Sequence, residues 1–103
     1  MEIIINNKKI NLEVADTFYK RLKGLMGKKK INMGMFFPNT RSIHTFFMKD
    51  EIDLIMLDKD YHLIFYKKNV KKNKIIIKLK AHHTIELPKD TLSNEITTIK
   101  INK

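Results

Sequence analysis

The chain has 103 residues, of which 43% are apolar, so we expect one domain over residues 1–103 with a modest hydrophobic core. It contains no cysteine, which excludes disulfide bonds and thiolate metal sites, and no apolar run approaches the ~20 residues of a membrane span. The formal net charge of +10 comes mostly from lysine, which favours a solvated basic surface over a nucleic-acid site built from arginine side chains.

The first strands are predicted over residues 2–5 and 10–14, because both segments are rich in apolar residues and are separated by turn-forming residues at 6–9. A short helix is predicted next, with Asp16 or Thr17 as its N-terminal cap. Apolar residues then recur at helical spacing and predict one buried helix face, formed by Phe18, Leu22, Leu25 and Met26.

Four short strands are predicted in the middle of the chain. Gly34–Phe37 is followed by a Pro-Asn turn, and a polar linker separates the apolar stretches Ile43–Met48 and Ile52–Leu57. A turn containing two aspartates leads to a fourth strand over Tyr61–Tyr66. The basic stretch Lys67–Lys74 is predicted to be a mobile loop.

The clearest alternation covers residues 77–87 and predicts one long, half-buried strand. Its inward set is Ile77, Leu79, Ala81, His83, Ile85 and Leu87. A final short strand is predicted over residues 97–101. About eight short and regularly spaced strands favour a mainly β fold. We expect a compact antiparallel sandwich or barrel of jelly-roll type, with one short N-terminal helix.

Two ionisable side chains, His44 and Asp53, fall inside stretches that otherwise have the pattern of apolar strands. A buried carboxylate needs a hydrogen-bonded or charged neighbour. One interpretation makes Asp53 a member of a pocket with Arg21 and His44. The other makes it a structural residue that binds local backbone amides or forms an ion pair with Arg21. His44 could act as a base only if Thr45 or Asp53 lay within hydrogen-bond reach.

No metal site and no cofactor are expected. His82 and His83 are adjacent, and neighbouring strand residues point to opposite faces, so the two rings are predicted to diverge. The sequence contains no P-loop and no dinucleotide-binding motif.

The sequence also contains four blocks with a recognisable pattern. The first comprises residues 14–18 and 21–27, and the second is Gly34–Phe37. The third comprises Ser42–Met48 and residues 52–53 and 57–58, and the fourth is Ile85–Pro88. Together they resemble the bacterial and archaeal domain-of-unknown-function family numbered 192, over nearly the whole chain. The resemblance implies a compact, mostly β fold of jelly-roll or barrel type with a short helix, and it implies no established activity. The chain departs from the family pattern at Asp50–Glu51, where the family often has Phe-Pro, and at Asp90, where it has glycine.

Three functions are compatible with this pattern. The leading hypothesis is a non-enzymatic module that binds a small ligand or a protein through a polar cluster in an apolar cleft. The cluster consists of Arg21, His44, Thr45 and Asp53, and the cleft is lined by Met35, Phe47 and Met48. The alternatives are a hydrolase-like enzyme, with His44 as base oriented by Asp53, and a lysine-driven binder of nucleic acid or anionic surfaces. The N-terminus lacks a signal-peptide pattern, so we expect a cytoplasmic protein.

Overall fold

The computed structural model describes residues 1–15, 34–46, 48 and 50–103. The helix predicted after residue 15, with Arg21 on it, lies outside these residues, and so does Phe47. The described residues form strands joined by turns and short connections, which confirms the mainly β class. No helix in this part of the chain has the length and the apolar character needed to cross a bilayer.

Nine strands are described, of which seven form one curled sheet and two form a small second sheet. The strands are β1 Glu2–Ile5, β2 Lys8–Val14, β3 Gly34–Phe37, β4 Ser42–His44, β5 Ile52–Leu57, β6 Leu63–Val70, β7 Ile75–Ile77, β8 His83–Pro88 and β9 Ile99–Asn102. The order in the large sheet is β6-β5-β8-β3-β2-β1-β9, and β4 pairs with β7 in the small one. The large sheet is a half-barrel, which fits the predicted sandwich-or-barrel class.

The first hairpin forms around two asparagines. Ile5 and Lys8 pair across the turn, and Asn6 and Asn7 have φ values of 49° and 67°. Positive φ at both central residues gives the tight turn whose twist matches antiparallel strands, and asparagine tolerates that conformation better than most residues. The predicted turn at 6–9 is therefore present but shorter, because strand pairing continues to Lys8.

Both faces of the large sheet are buried at its centre, where β5 lies between β6 and β8. Leu54 and Met56 contribute to one hydrophobic cluster, and Ile55 and Leu57 contribute to another. Because side chains alternate along a strand, Asp53 lies on the same face as Ile55, and it is fully buried. A strand covered on both faces has a continuous apolar sequence, and this stretch was therefore predicted correctly.

One strand pair in the large sheet is parallel. Leu12 lies opposite Gly34 and Val14 lies opposite Phe36, so the predicted all-antiparallel arrangement is wrong at the β2–β3 pair. Parallel neighbours cannot be joined by a tight turn and need a crossover of about a dozen residues or more. Residues 15–33 are long enough for that connection.

The predicted long strand over residues 77–87 is interrupted: residues 83–87 belong to β8, but residues 78–82 are not strand. The chain turns between β7 and β8, where the Ala81 N–H donates to the Lys78 carbonyl at 3.0 Å. Ile77 and Leu79 are 58% and 79% exposed, whereas Ala81 is buried. The sequence pattern did not reveal this turn, because the residues of the turn continue the alternation of apolar and polar residues.

Two other strands end at positions that differ from the prediction. β6 pairs with β5 through Val70, so the first half of the predicted loop Lys67–Lys74 is strand. β4 ends at His44, well before the predicted end at Met48. The basic loop is therefore a short connection between two strands.

Replacing Gly34 with alanine is expected to destabilise the fold by about 1–3 kcal/mol, because the added methyl group overpacks the sheet. A Cβ at Gly34 would lie 2.8 Å from the backbone oxygen of Glu86 and 2.6 Å from Leu87 Cδ2. β3 lies between β2 and β8, so this oxygen cannot retreat without disturbing the strand ladder. Equilibrium unfolding in urea measures the change.

The matched control for this variant is Ser42→Ala, at an exposed strand position. It should alter the free energy of unfolding by less than about 0.5 kcal/mol. Equal stability of the Gly34→Ala and Ser42→Ala proteins would contradict the close approach of β8 to Gly34.

Candidate functional site

Asp53 is fully buried, and both of its carboxylate oxygens accept hydrogen bonds from backbone N–H groups. Oδ1 accepts from Asn69 at 2.8 Å, and Oδ2 accepts from Leu92 at 2.7 Å. Asn69 lies near the end of β6, and Leu92 lies in the connection between β8 and β9. Such bonds satisfy a buried charge. Asp53 thus binds backbone amides, as the structural interpretation predicted, but the amides are distant in sequence rather than local.

The connection after β8 is held to the end of β6 by further contacts. The Lys68 ammonium group donates to the Leu92 carbonyl at 2.7 Å and lies 3.5 Å from the Asp90 carboxylate. The Asn69 side chain donates to the same carboxylate at 3.1 Å, and this bond is the main reason that the pKa of Asp90 is lowered. Asp90 has a φ of 62°, so an aspartate adopts the left-handed conformation at the position where the resembling family has glycine.

Thr45 holds the connection between β6 and β7. Its buried hydroxyl donates to the Lys71 carbonyl at 2.7 Å and accepts from the Lys74 N–H at 2.8 Å. Its backbone N–H also donates to the Lys74 carbonyl at 2.9 Å. Since Lys74 immediately precedes β7, Thr45 determines where this strand begins.

The structure does not bring His44 to Asp53. His44 is exposed on β4, and its ring stacks on Phe46 with 5.2 Å between the centroids. The hydrolase hypothesis needs Asp53 to orient His44, whereas the described bonds of Asp53 go to two backbone amides. Met35 and Met48, which were predicted to line a cleft, are both buried in one hydrophobic cluster.

An apolar surface that sequence reasoning missed lies on the outer side of the small sheet. Ile75 and Ile77 are 63% and 58% exposed and lie opposite the exposed residues His44 and Ser42. Leu79, still more exposed, follows in the turn. We call this surface the β7 face and define it by Ser42, His44, Phe46, Ile75, Ile77 and Leu79. The run of three isoleucines between lysines was its signal in the sequence.

The β7 face lies in a strongly basic part of the chain. Residues 61–85 contain seven lysines and no acidic residue, and residues 34–49 contain Arg41 and Lys49 and no acidic residue. These two segments supply both strands of the small sheet. Lys74 and Lys78 flank β7, so a partner that lies along this strand meets positive charge at the strand edge, which favours an acidic partner.

Aromatic side chains pack around His83 at the start of β8. The buried His83 ring lies 5.1 Å from the rings of both Phe36 and Tyr61, and its Nδ1 accepts a hydrogen bond from the Asn39 N–H at 3.3 Å. Burial lowers the pKa of His83, and the charge of neighbouring His82 lowers it further. The His82 and His83 rings touch at 4.6 Å in a perpendicular arrangement, so they do not diverge as predicted.

One group of three potential metal ligands occurs in the described part of the chain. Asp58, Asp60 and His62 offer ligand atoms within 4.8 Å of one another. However, Asp58 Oδ1 accepts the backbone N–H groups of Asp60 and His62, each at 2.9 Å. The bond from the His62 backbone also lowers the pKa of Asp58. These contacts explain the group as the hydrogen bonding of a tight turn.

Known proteins resemble this chain in sequence. The model of the DUF192 family, described as Uncharacterized ACR, matches residues 1–99. The UPF0127 protein TK1120 of Thermococcus kodakarensis is 39% identical over 83 residues, which cover 75% of this chain and 53% of that protein. The UPF0127 protein of Thermococcus sibiricus is 36% identical over 83 residues, which cover 75% of this chain and 54% of that protein. The chain thus spans about half the length of these curated relatives.

Solved structures resemble it in fold. A protein of unknown function from Novosphingobium aromaticivorans superposes with a TM-score of 0.73 at 16% identity, covering 87% of this chain and 74% of that chain. A putative transcription regulator from Sinorhizobium meliloti gives 0.72 at 17% identity, covering 85% of this chain and 78% of that chain. At such identities the likeness establishes the fold alone.

Replacing Asp53 with asparagine is expected to lower the free energy of unfolding by about 2–4 kcal/mol. The amide group offers one acceptor oxygen, so either the Asn69 or the Leu92 N–H loses its partner and faces a second donor. Urea unfolding measures the loss. The control is Asp60→Asn, the same change at an exposed turn position, which should shift stability by less than about 0.5 kcal/mol. Similar stabilities for the two variants would argue against a stabilising role of the two hydrogen bonds to Asp53.

The lowered pKa of His83 predicts a stability that falls in mild acid. The unfolded chain takes up a proton at His83 near pH 6.5, whereas the folded chain takes it up only at lower pH. Between these two values the unfolded state binds more protons, so stability decreases as the pH falls through this window and is unaffected by His83 above it. Thermal unfolding from about pH 8 to about pH 5 follows the change.

The variant His83→Gln keeps a hydrogen-bond acceptor for Asn39 and removes the titrating ring. Its melting temperature should fall less steeply over the same pH window. His44→Gln changes an exposed ring and should keep the slope of the parent protein. If His83→Gln kept the full slope as well, the acid sensitivity would have to come from other groups.

Proposed function

We propose, from the premise that this chain belongs to the DUF192 family, that it is a non-enzymatic binding module for an acidic segment of another protein. The observation that carries the proposal is the β7 face, where Ile75 and Ile77 are exposed on the same side of β7 and the exposed Leu79 follows in the turn. Single exposed apolar residues are common on protein surfaces, but a contiguous group of large ones is typical of an interaction site.

The apolar side chains supply the driving force for binding. Three of the four large hydrophobic residues that are exposed in the described chain lie on this face, and the fourth, Ile64, lies on β6. Fully burying an isoleucine side chain stabilises a complex by about 1.5–3 kcal/mol. Burying the solvent-accessible part of Ile75 and Ile77 against a partner would therefore contribute to the free energy of binding.

The charge around the face favours an acidic occupant. Lys74 and Lys78 flank the three isoleucines, and Lys80 follows Leu79. A second copy of this chain would bring the same lysines together, and like charges repel, so charge disfavours self-association. Nucleic acid is disfavoured for another reason. The most exposed large side chains of the face are aliphatic, and these neither stack on bases nor offer hydrogen bonds to base edges, while the rings of His44 and Phe46 stack on each other.

Internal hydrogen bonds hold the face in place before a partner arrives. Thr45 fixes Lys74 at the start of β7, and Asp53 fixes Asn69 at the end of β6. The segment between Asn69 and Ile75 is thus tied at both ends. A surface that is ordered in the free protein loses less conformational entropy on binding.

A synthetic peptide of alternating valine and glutamate is expected to bind the protein, and the Ile75→Ser/Ile77→Ser double variant is expected to lose about tenfold or more in affinity. The loss follows from the apolar area that the serines no longer bury. Isothermal titration calorimetry measures affinity and should show a negative heat-capacity change. The same peptide with lysine in place of glutamate should not bind.

The matched control is Ile64→Ser, the same substitution at an exposed isoleucine outside the β7 face. It should bind the peptide as the parent protein does. No binding of the acidic peptide, or an equal loss in the Ile64→Ser variant, would overturn the proposal. Tight binding of duplex DNA that falls steeply with salt and ignores the isoleucine substitutions would favour the lysine-driven alternative.

A further inference from the structure

We infer that the acidic segment binds as an added β-strand along the outer edge of β7, which pairs with no strand in the described part of the chain. This inference rests on the proposed function and specifies how the partner is held: by main-chain hydrogen bonds to Ile75 and Ile77, with its side chains alternating between apolar and acidic. Sheet edges that present unpaired N–H and C=O groups are templates for such strand addition.

The register of the small sheet determines which groups are free. Ile43 lies opposite Ile76. On either side of this pair, the Lys78 N–H donates to the Arg41 carbonyl at 3.0 Å and the Thr45 N–H donates to the Lys74 carbonyl at 2.9 Å. In an antiparallel ladder, hydrogen-bonded pairs recur at every second residue. The two bonds therefore show that the hydrogen-bonded pairs are Arg41–Lys78, Ile43–Ile76 and Thr45–Lys74.

Ile75 and Ile77 consequently belong to the pairs that are not bonded across to β4. Their backbone N–H and C=O groups point away from β4, toward the outer edge of β7. Among the described residues, β7 pairs with β4 alone. The edge thus carries two donors and two acceptors in the spacing that an extended chain matches.

The same alternation predicts the side-chain pattern of the partner. Ile75 and Ile77 point to the outer face, so apolar side chains of an added strand would pack beside them. Lys74 and Lys78 point to the opposite face, where the Lys78 ammonium group lies 4.3 Å from the Phe65 ring centre. Acidic side chains of the added strand would fall on that side. An alternating apolar–acidic segment satisfies both faces at once.

The β7 edge is favoured over the outer edge of β4. β4 presents Ser42 and His44 at the corresponding positions and therefore offers no aliphatic side chain. Lysines at both ends of β7 also discourage pairing between two copies of this chain, because they would meet other lysines. The same lysines would attract the carboxylates of an acidic strand.

Peptides that are N-methylated on alternate residues test the added strand. Methylation removes a donor and adds bulk, and alternate N–H groups of an extended chain point to the same edge. We expect methylation of one alternate set in the valine–glutamate peptide to lower the affinity by about tenfold or more, because two main-chain bonds are lost. Methylation of the other set, which faces solvent, should lower it by less than about threefold.

Amide hydrogen exchange gives a second readout on the unmodified protein. Binding of the parent peptide should slow exchange at Ile75 and Ile77 by about tenfold or more, because their N–H groups become bonded. Ile76 is the internal control, since its N–H already bonds across to β4 and should change little.

The outcomes separate the two proposals. If the parent peptide does not bind, the proposed function fails. If it binds and is weakened by the isoleucine substitutions, but both methylated sets bind alike, the β7 face is a docking site and the added strand is wrong. Unchanged exchange at Ile75 and Ile77 in the complex would lead to the same rejection.

Discussion

A buried carboxylate joins three separate parts of this protein. Asp53 in β5 accepts hydrogen bonds from Asn69 at the end of β6 and from Leu92 in the connection after β8. A buried charge without partners is costly, so the carboxylate and the two amides are stable only together. Leu92 is thereby held in the second hydrophobic cluster, and Asn69 is held where the chain turns toward the small sheet.

Asp53, one of the polar residues that suggested a ligand pocket, therefore binds the main chain of the protein itself. Thr45 also binds main-chain groups, in the connection between β6 and β7. Its hydroxyl donates to the Lys71 carbonyl and accepts from the Lys74 N–H. Their common effect is to order the basic segment that leads into β7. The candidate binding surface is then the exposed face of β7, and the buried polar groups contribute to it indirectly by keeping Ile75 and Ile77 in position.

Local patterns predicted some elements well and others poorly, for identifiable reasons. β3 and β5 were predicted with correct limits, because continuous apolar runs are typical of strands covered on both faces. The strand over 77–87 was predicted correctly only from residue 83 onward, because its alternation continued through the turn that precedes β8. Likewise, His44 was expected in a polar cluster with Asp53, but β4 is short and lies in a separate sheet, where His44 is exposed. No local pattern states which sheet a strand joins.

The mainly β class, the turn after β1 and the strand that carries Asp53 were determined by the sequence alone, because they depend on residues that are neighbours in the chain. Only the tertiary structure decided that β2 and β3 run parallel, which amides bind Asp53, and that β7, among the described residues, pairs with β4 alone. Each of these features joins residues far apart in the sequence. Such contacts are selected by the packing of the whole chain, and residue spacing carries no record of them.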